Sequence, residues 1–475
     1  MSGEAHVVVV GGGISGLVAA DALLRAGGAR VTLLEADGRL GGKIRSESIA
    51  GQAVDVGAES LFARFPAAVE LCRELGLHDE LVAASETAIS VWVRGRLREF
   101  PAGILGGLPH GVGPVLRSGI LSPVGLARGA LDLVLPASRA DGDRSVGELI
   151  RRRLGRAALD SLVDPLLGTI YAADCEKLSL RATAPQLDAL ARGHRSLVRG
   201  LRATKPPAPQ AGPMFVALPG GLERIVTRLR ERLLDADIRC DAPVTLLEHG
   251  QDGRYRLELA GGESLLADGV VIAAPADQAG RILSALSPAA AAELDAIRYV
   301  PTVVVVLRYP AAAASRPLRG VGLLVPQGER RLLGAGTWLS AKWPHFAATG
   351  ELWLRCSVGR ASAAGALGMD DEMLVARLAD ELREATGLVG MPLSSHVTRW
   401  ARALPLYEPG HLDRVARIKT ALERLPGVAL AGAAYGGIGV PQCITQGRTA
   451  AEQVHAALWP SGPLGVRDRV RTPAP

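Results

Sequence analysis

Short apolar runs separated by glycine dominate the first forty residues of the chain. Val7 to Val10 is a β-branched run of the length of one strand, and its lack of alternation indicates burial on both faces. A glycine-rich stretch over 11–16 follows, and helical periodicity over 17–26 ends at a Gly pair. A second apolar run covers 30–35. The order strand, turn, helix, strand predicts one βαβ unit.

Farther along the chain, helical patterns give way to strand patterns. The region from about 65 to 205 is mainly helical in pattern, and a Pro-rich stretch over 205–213 has the composition of a loop or boundary. The pattern predicts helices over 67–75, 145–154, 156–166, 222–236 and 373–386, a hairpin over 255–266, and strands over 244–248, 269–274, 300–308, 322–325, 352–358 and 428–430.

Length and composition narrow the class of protein. The 475 residues, 48% hydrophobic and 21% charged, predict a globular chain of two or three domains. Five scattered cysteines without a C-x-x-C pair indicate neither a metal site nor a disulfide framework, so we expect a cytoplasmic protein with no metal. No signal peptide and no window of about 18 apolar residues is visible.

The positive charge does not indicate nucleic-acid binding. Of the 54 basic residues, 49 are Arg, spread along the chain among acidic residues, and the net charge is +6. We interpret the longest basic run, Arg151 to Arg153, as a solvated helix face. The surplus of positive charge also fits the binding of anionic small ligands. Because the basic residues are dispersed, we expect no nucleic-acid partner.

The glycine-rich turn carries the first functional signal. Gly11, Gly13 and Gly16 form G-x-G-x-x-G between a predicted strand and a predicted helix, a pattern typical of dinucleotide binding at a helix N-terminus. Glu35 closes the second strand, where a carboxylate can accept hydrogen bonds from both ribose hydroxyls of an adenosine. An acid there disfavours a 2′-phosphate, so we do not expect NADP.

Three further glycine-containing segments favour a flavin over a nicotinamide cofactor. Residues 35–43 add a second Gly pair and the cations Arg39 and Lys43, in the pattern E-x-x-x-R-x-G-G-K. Residues 55–60 contain D-x-G. At the C-terminus a strand, a Gly-rich turn and a helix with Pro441 in its first turn can direct a helix N-terminus at the pyrimidine edge of a flavin.

With four further blocks these motifs resemble the protoporphyrinogen/coproporphyrinogen oxidase family of FAD enzymes, within the flavin amine oxidase superfamily. The blocks are 167–181, 218–222, 399–411 and 432–447, and the similarity extends over nearly the whole chain. The chain departs from the family's pattern at three places. Leu406 stands where the family often has Gln, Ala173 stands where it usually has Gly, and the Arg expected near Ile89 is absent. The absence of that Arg is characteristic of the bacterial coproporphyrinogen-oxidising branch, and Arg94, Arg96 or Arg98 could serve instead, unless they form an exposed hairpin tip.

The resemblance implies an α/β fold in which a Rossmann-type FAD-binding domain is interleaved with a substrate domain of a sheet plus helices. We assign 1–64, 210–290 and 396–460 to the FAD-binding domain, 65–205 to a mainly helical region facing substrate or membrane, 291–395 to a substrate-binding sheet region, and 461–475 to a tail. It implies non-covalent FAD bound by Gly11, Gly12, Gly13, Ile14, Ser15, Gly16, Glu35, Ala36, Arg39, Gly42, Lys43, Gly57, Ala58, Glu59, Ser60, Val244, Trp400, Ile438, Gly439 and Val440.

The same resemblance implies the reaction. Hydride passes from a porphyrinogen meso carbon to flavin N5, and O2 reoxidises the flavin with release of H2O2. Four carboxylates fit an Arg-rich protein better than two, so we expect coproporphyrinogen III, with protoporphyrinogen IX as the alternative. Gly168, Thr169, Tyr171 and Leu324 are the candidate substrate residues, although each residue type is common in plain core or turns. No general base or other catalytic side chain is indicated.

Several alternatives stay open. His411 and Cys443 are reactive residue types that we expect to be structural, His411 at a helix or loop junction and Cys443 inside the last helix. The apolar segment from Pro101 to Pro136 fits a substrate lining, ordinary core or peripheral membrane contact. A homodimer, another oxidase of the superfamily acting on amines or carotenoids, and a non-catalytic FAD or porphyrin carrier also remain.

Overall fold

A parallel sheet of five strands forms the centre of the dinucleotide-binding half in the computed structural model, which describes residues 4–101, 103–136, 142–204, 212–250 and 252–460. In spatial order its strands are Asp237–Arg239, Ala29–Leu34, Ala5–Val10, Gly269–Ile272 and Val428–Leu430. Val7, Val8 and Val9 are fully buried, as a strand covered on both faces requires. The predicted βαβ unit is confirmed, with its helix at Ile14–Ala26.

A second sheet of seven strands forms the other half. In spatial order its strands are Ser394–Pro405, Tyr299–Tyr309, Leu352–Val358, Ala335–Trp338, Gly322–Leu324, Ser90–Val93 and Arg96–Glu99. Gly322–Leu324 pairs in parallel with Ser90–Val93, and the other pairs are antiparallel. Two of its strands therefore fall inside the segment 65–205.

Smaller sheets surround these two. Two of them have three strands each: Val244–His249 with Tyr255–Leu259 and Ser264–Ala267, and Leu61–Phe62 with Phe215–Ala217 and Val82–Ala83. Two hairpins complete the set: Ser46–Ile49 with Gln52–Asp55, and Ile104–Leu105 with Leu108–Pro109.

Helices cover both sheets. Besides Ile14–Ala26 they are Pro66–Glu74, Val112–Ser118, Pro123–Ala130, Val146–Arg153, Arg156–Ala158, Leu180–Thr183, Pro185–Gly193, Leu197–Ala203, Glu223–Arg232, Ala276–Ile282, Pro288–Asp295, Leu339–Lys342, Pro344–Ala347, Ala361–Leu367, Asp371–Thr386, His411–Leu422, Ala433–Gly436 and Val440–Leu458. Short 3₁₀ turns lie at His78–Glu80, Leu131–Leu133, Ala311–Ala313 and Gln327–Glu329.

The mixed α/β fold is thus confirmed, and one helix differs from its prediction. In place of an α-helix over 156–166, a short α-helix at Arg156–Ala158 leads into a π-helix at Leu159–Gly168. Pro165 lies inside that segment, where it lacks an N–H and its ring disfavours regular α-helical packing. The wider π-turn accommodates it.

The interpretation of the basic run 151–153 is wrong for one of its three residues. Arg151 and Arg152 are exposed, whereas Arg153 is buried and paired with Asp132. The helix presents Arg153 to the neighbouring turn Leu131–Leu133, a placement that helical periodicity alone does not reveal.

The domain boundaries stay a prediction, since the stretch 205–211 and the tail 461–475 lie outside the described residues. Among the residues that are described, no helix combines the length and apolarity needed to cross a membrane.

Candidate functional site

Two helix N-termini meet at the carboxyl edge of the parallel sheet. Ile14–Ala26 begins after Gly13 and Val440–Leu458 begins after Gly439, and neither helix has a capping side chain or an acidic residue in its first turn. The helices touch closely, because a Cβ on Gly447 would lie 2.3 Å from the carbonyl oxygen of Ser15. The Ser15 hydroxyl also donates to the carbonyl of Cys443 at 2.9 Å. Free backbone N–H groups at such ends favour an anion.

The first glycine turn has the geometry that its motif predicts. Gly11 has φ +106°, and a Cβ on Gly16 would lie 1.9 Å from the carbonyl oxygen of Gly11, so strand and helix approach too closely for any side chain. A Cβ on Gly13 would meet no atom within 4 Å. The open side of the turn therefore lies at Gly13, the middle glycine of the motif, where a ligand can approach the backbone.

Glu35 lies beside this turn. Its Oε2 accepts a hydrogen bond from the Gly12 N–H at 2.6 Å, and its Oε1 accepts one from the Asp37 N–H at 2.8 Å. Both oxygens keep further acceptor capacity. The two backbone bonds hold the carboxylate at the strand end, next to exposed Ala36, where the motif places a ribose.

The two cations of the second glycine segment have different environments. Arg39 donates to the carbonyls of Gly42 at 2.9 Å and Ile44 at 2.8 Å, so its guanidinium supports the turn itself. Lys43 instead is exposed, with Nζ 5.7 Å from the ring centre of Tyr299. Desolvation by the surrounding protein lowers its pKa. Of the pair, Lys43 is the cation available to a ligand.

The segment 55–60 is supported from several sides. A Cβ on Gly57 would lie 2.0 Å from the Lys43 carbonyl oxygen and 3.4 Å from the Trp400 ring, so close packing within the protein already requires glycine. Trp400 donates from Nε1 to the Val56 carbonyl at 2.9 Å, and Ala58 donates its N–H to the Lys43 carbonyl at 3.1 Å.

The carboxylate of Glu59 is engaged inside the protein. It accepts from Lys342 Nζ at 2.9 Å and from Trp343 Nε1 at 2.8 Å. Lys342 and Arg355 lower the pKa of this buried carboxyl against the effect of burial. Glu59 can therefore offer a ligand mainly its backbone.

Asp55 ties the same segment to the start of the helix Glu223–Arg232. It accepts from the Ser46 hydroxyl at 2.6 Å and from the Leu222 N–H at 3.0 Å. Burial raises the pKa of this carboxyl to about 7. The block 218–222 thus supports the segment 55–60 through Asp55.

Tyr407 and His411 support the C-terminal glycine turn, which contains Ile438, Gly439 and Val440. The Tyr407 hydroxyl donates to the Ala433 carbonyl and accepts from the Gly437 N–H at 3.0 Å. His411 stacks on Tyr407 with ring centres 4.0 Å apart and contacts the Ala434 carbonyl through Nε2 at 3.0 Å. His411 is 1% exposed, which agrees with the structural role expected of it.

Acid is expected to destabilise the protein through His411. Burial lowers its pKa from 6.5 to about 4, so below pH 6.5 the unfolded chain takes up a proton that the folded chain resists. The free energy of unfolding should fall between pH 6.5 and 4 by up to about 3 kcal/mol from this residue. His411→Phe keeps the stacked ring and removes the titration, so urea unfolding of both proteins across this range isolates the effect. If the free energies of unfolding of the two proteins change in parallel with pH, His411 does not cause the loss of stability.

The candidate substrate residues lie where the π-helix meets the seven-stranded sheet. Thr169 Oγ1 accepts from Arg360 at 2.9 Å, and the rings of Tyr171 and Tyr407 are 6.0 Å apart between centres. Gly168 and Leu324 are buried in the core that joins helices and sheet. Val244 lies apart, at the start of its strand and against the core beneath the parallel sheet.

Sequence reasoning missed two arginines, in and just after the strand Leu352–Val358, that bind backbone carbonyls of other segments. Arg355 donates to the carbonyls of Asp55 at 3.2 Å and Gly57 at 2.7 Å, and Arg360 donates into the π-helix. One signal was present for Arg355, since it lies between buried Leu354 and Cys356 in a predicted strand. Arg94, one of the suggested replacement cations, donates to the carbonyls of Gly119 and Ile120.

The arrangement fits FAD. An open glycine turn, two uncapped helix N-termini, a carboxylate at the second strand end and an exposed lysine offer the groups that a dinucleotide with a pyrophosphate needs. Cys443 is buried inside the last helix, and burial raises the pKa of its thiol to about 11, so it is not activated as a nucleophile. The fold and site define a dinucleotide-binding flavoprotein with a second, sheet-based domain.

The chain belongs to the flavin containing amine oxidoreductase family, whose family model matches residues 14–455. It is an FAD-dependent oxidoreductase.

Similarity to individual proteins covers nearly the whole chain. The coproporphyrinogen III oxidase of Bacillus subtilis strain 168 is 34% identical over 470 residues, with 96% of this chain and 99% of that protein covered. The protoporphyrinogen oxidase of Bos taurus is 30% identical, with 94% and 98% covered. A crystal structure from Exiguobacterium sp. 255-15, described as a protoporphyrinogen oxidase, is 31% identical with a TM-score of 0.84, and the match covers 96% of this chain and 99% of that one.

Proposed function

We propose that this chain is an oxygen-dependent FAD oxidase that converts coproporphyrinogen III into coproporphyrin III and releases H2O2. The observation that carries the proposal is the match to the Bacillus subtilis coproporphyrinogen III oxidase, which spans both the dinucleotide-binding sheet and the seven-stranded sheet. Bound FAD supplies a two-electron acceptor that O2 regenerates.

The residues of the chain have three tasks in this reaction. The glycine turn, Glu35 and Lys43 bind the cofactor, and FAD stays non-covalent because the nearby thiol of Cys443 is buried and protonated. The uncapped N-terminus of Val440–Leu458 stabilises negative charge on the ring system. The apolar core around Tyr171 and Leu324 provides a wall suited to an uncharged macrocycle.

Substrate preference is tested by kcat/KM on anaerobically prepared coproporphyrinogen III and protoporphyrinogen IX, followed by porphyrin fluorescence. We expect a clear preference for coproporphyrinogen III and three H2O2 per porphyrin formed, since each turnover removes two electrons. A preference for protoporphyrinogen IX would show that the proposed substrate is wrong and would favour the activity in the name of the Bos taurus relative. A yellow protein that neither forms porphyrin nor becomes reduced would be a carrier.

Peripheral contact with an anionic membrane surface is a further part of the proposal. Along the segment 112–136, Val124 and Val134 leave 79% and 67% of their surface exposed, and the basic residues Arg117 and Arg128 lie in the last turns of the two helices. The protein should therefore sediment with phosphatidylglycerol vesicles, and Val124→Asp should reduce this. Leu234→Asp, at an exposed leucine of the dinucleotide-binding half, is the control. Equal sedimentation of both variants would reject the contact.

A further inference from the structure

Arg360 has a backbone conformation that residues with side chains rarely adopt. It follows the strand Leu352–Val358, has φ +60° and ψ −135°, and precedes the helix Ala361–Leu367. Its side chain is only 5% exposed. A strained, buried arginine at a strand end persists where surrounding contacts hold it.

Those contacts come from the π-helix and the turn after it. Arg360 Nη1 donates to Asp164 Oδ2 at 2.6 Å. Nη2 faces the carbonyls of Asp164 at 2.7 Å and Pro165 at 3.3 Å, and Thr169 Oγ1 at 2.9 Å. One guanidinium thus binds two backbone carbonyls near the end of the π-helix together with the side chains of Asp164 and Thr169.

The same guanidinium lies over the turn 168–173. A Cβ on Gly168 would be 3.0 Å from the Arg360 guanidinium carbon and 2.8 Å from the Ala173 carbonyl oxygen, so the turn is closely confined. Within the turn, Ala172 has φ +49°. A Cβ on Gly359 would contact Ala172, so the turn also packs against the residue that precedes Arg360. Arg360 therefore determines where this turn lies relative to the sheet.

The turn leads directly toward the cofactor end of the molecule. Tyr171 lies 6.0 Å from Tyr407 between ring centres, and Tyr407 bonds both Ala433 and Gly437 of the C-terminal glycine turn. Displacement of the turn 168–173 would thus move Thr169 and Tyr171, whereas Glu35 and the first glycine turn lie outside these contacts.

We propose that Arg360 is a positioning residue for the porphyrinogen: it holds the turn 168–173 so that Thr169 and Tyr171 form one wall of the substrate site beside the C-terminal glycine turn. This inference rests on the proposed function. It assigns Arg360 no contact with the substrate and no part in FAD binding.

The test uses Arg360→Gly, because glycine tolerates φ +60° and the variant removes the guanidinium without forcing another side chain into that conformation. We expect KM for coproporphyrinogen III and the Kd of coproporphyrin III, followed by fluorescence quenching, to rise about tenfold. The Kd of FAD should stay within about twofold. Guanidinium chloride at a non-denaturing concentration should restore part of the porphyrin affinity, and KCl should not.

Two further variants separate positioning from general stability. Thr169→Val removes one acceptor of Arg360 at constant size and should shift KM in the same direction by a smaller factor. Arg308→Ala breaks a longer and more exposed pair with Glu351 at the far end of the same sheet and should leave KM unchanged.

The outcomes are distinguishable. If the unsubstituted protein oxidises coproporphyrinogen III and folded Arg360→Gly matches it in KM and porphyrin affinity, the positioning role is wrong. Loss of FAD affinity with unchanged porphyrin affinity would also overturn it. If the unsubstituted protein neither binds coproporphyrin III nor oxidises the porphyrinogen, the proposed function itself is wrong, and the positioning role that rests on it is wrong as well.

Discussion

Glu35→Ala is expected to weaken FAD binding by about a hundredfold to a thousandfold, which corresponds to roughly 3–4 kcal/mol. The carboxylate at the end of Ala29–Leu34 is placed to accept two ribose hydrogen bonds, and bonds to a charged acceptor contribute about 1.5–3 kcal/mol each. The variant also leaves the N–H groups of Gly12 and Asp37 without their acceptor. Titration of apoprotein with FAD, followed by flavin fluorescence, measures the change.

Two controls accompany this variant. Glu35→Gln keeps a carbonyl acceptor without the charge and should lose less affinity. Glu258→Ala removes a glutamate paired with Arg256 in the hairpin next to the parallel sheet and should bind FAD like the unsubstituted protein. Unchanged FAD affinity of Glu35→Ala would show that the Glu35 carboxylate does not bind the ribose.

Asp132→Ala is expected to lower the free energy of unfolding by about 3–5 kcal/mol, because it leaves the buried Arg153 charge without its partner. Asp132 also accepts from the Ser196 hydroxyl at 2.6 Å and the Val198 N–H at 2.9 Å. Arg153 in turn donates to the Arg195 carbonyl at 2.6 Å, so three segments of the helical region meet at this pair. Urea unfolding of the apoprotein measures the loss.

An exposed pair in the same region is the matched control. Arg156 and Asp160 form an i,i+4 bridge at 2.9 Å with the arginine largely exposed, and such pairs contribute about 0.3–0.5 kcal/mol. Asp160→Ala should therefore unfold almost like the unsubstituted protein. A loss below about 1 kcal/mol for Asp132→Ala would show that solvent reaches Arg153.

Local patterns predicted the dinucleotide-binding half well, because its signals are short in sequence. The Val7 to Val10 run, the turn with Gly11 and Gly16, and the helix around Pro441 each depend on neighbours within about one βαβ unit. The π-helix was not predicted. A proline within an apolar run gives the same sequence pattern whether it ends a helix, kinks it or widens it.

Side chains of the same chemical type were separated only by their three-dimensional neighbours. Arg39 and Lys43 are equivalent cations in the motif, yet Arg39 binds two nearby backbone carbonyls and Lys43 stays exposed beside Tyr299. Glu59 stands in a cofactor motif, but Lys342 and Trp343 bind its carboxylate. Tyr299, Lys342 and Trp343 lie more than two hundred residues away from these side chains, beyond the reach of any periodicity.

The amino-acid sequence by itself determined the class of fold, the glycine turns, the carboxylate at the second strand end and the family, because these depend on local backbone geometry and residue spacing. The tertiary structure alone decided what three arginines bind. Buried Arg153 pairs with Asp132, half-buried Arg355 binds the segment 55–60, and the buried side chain of Arg360 binds the π-helix. The physical reason is that a buried charge needs a partner, and its partner is chosen by the packing of distant segments.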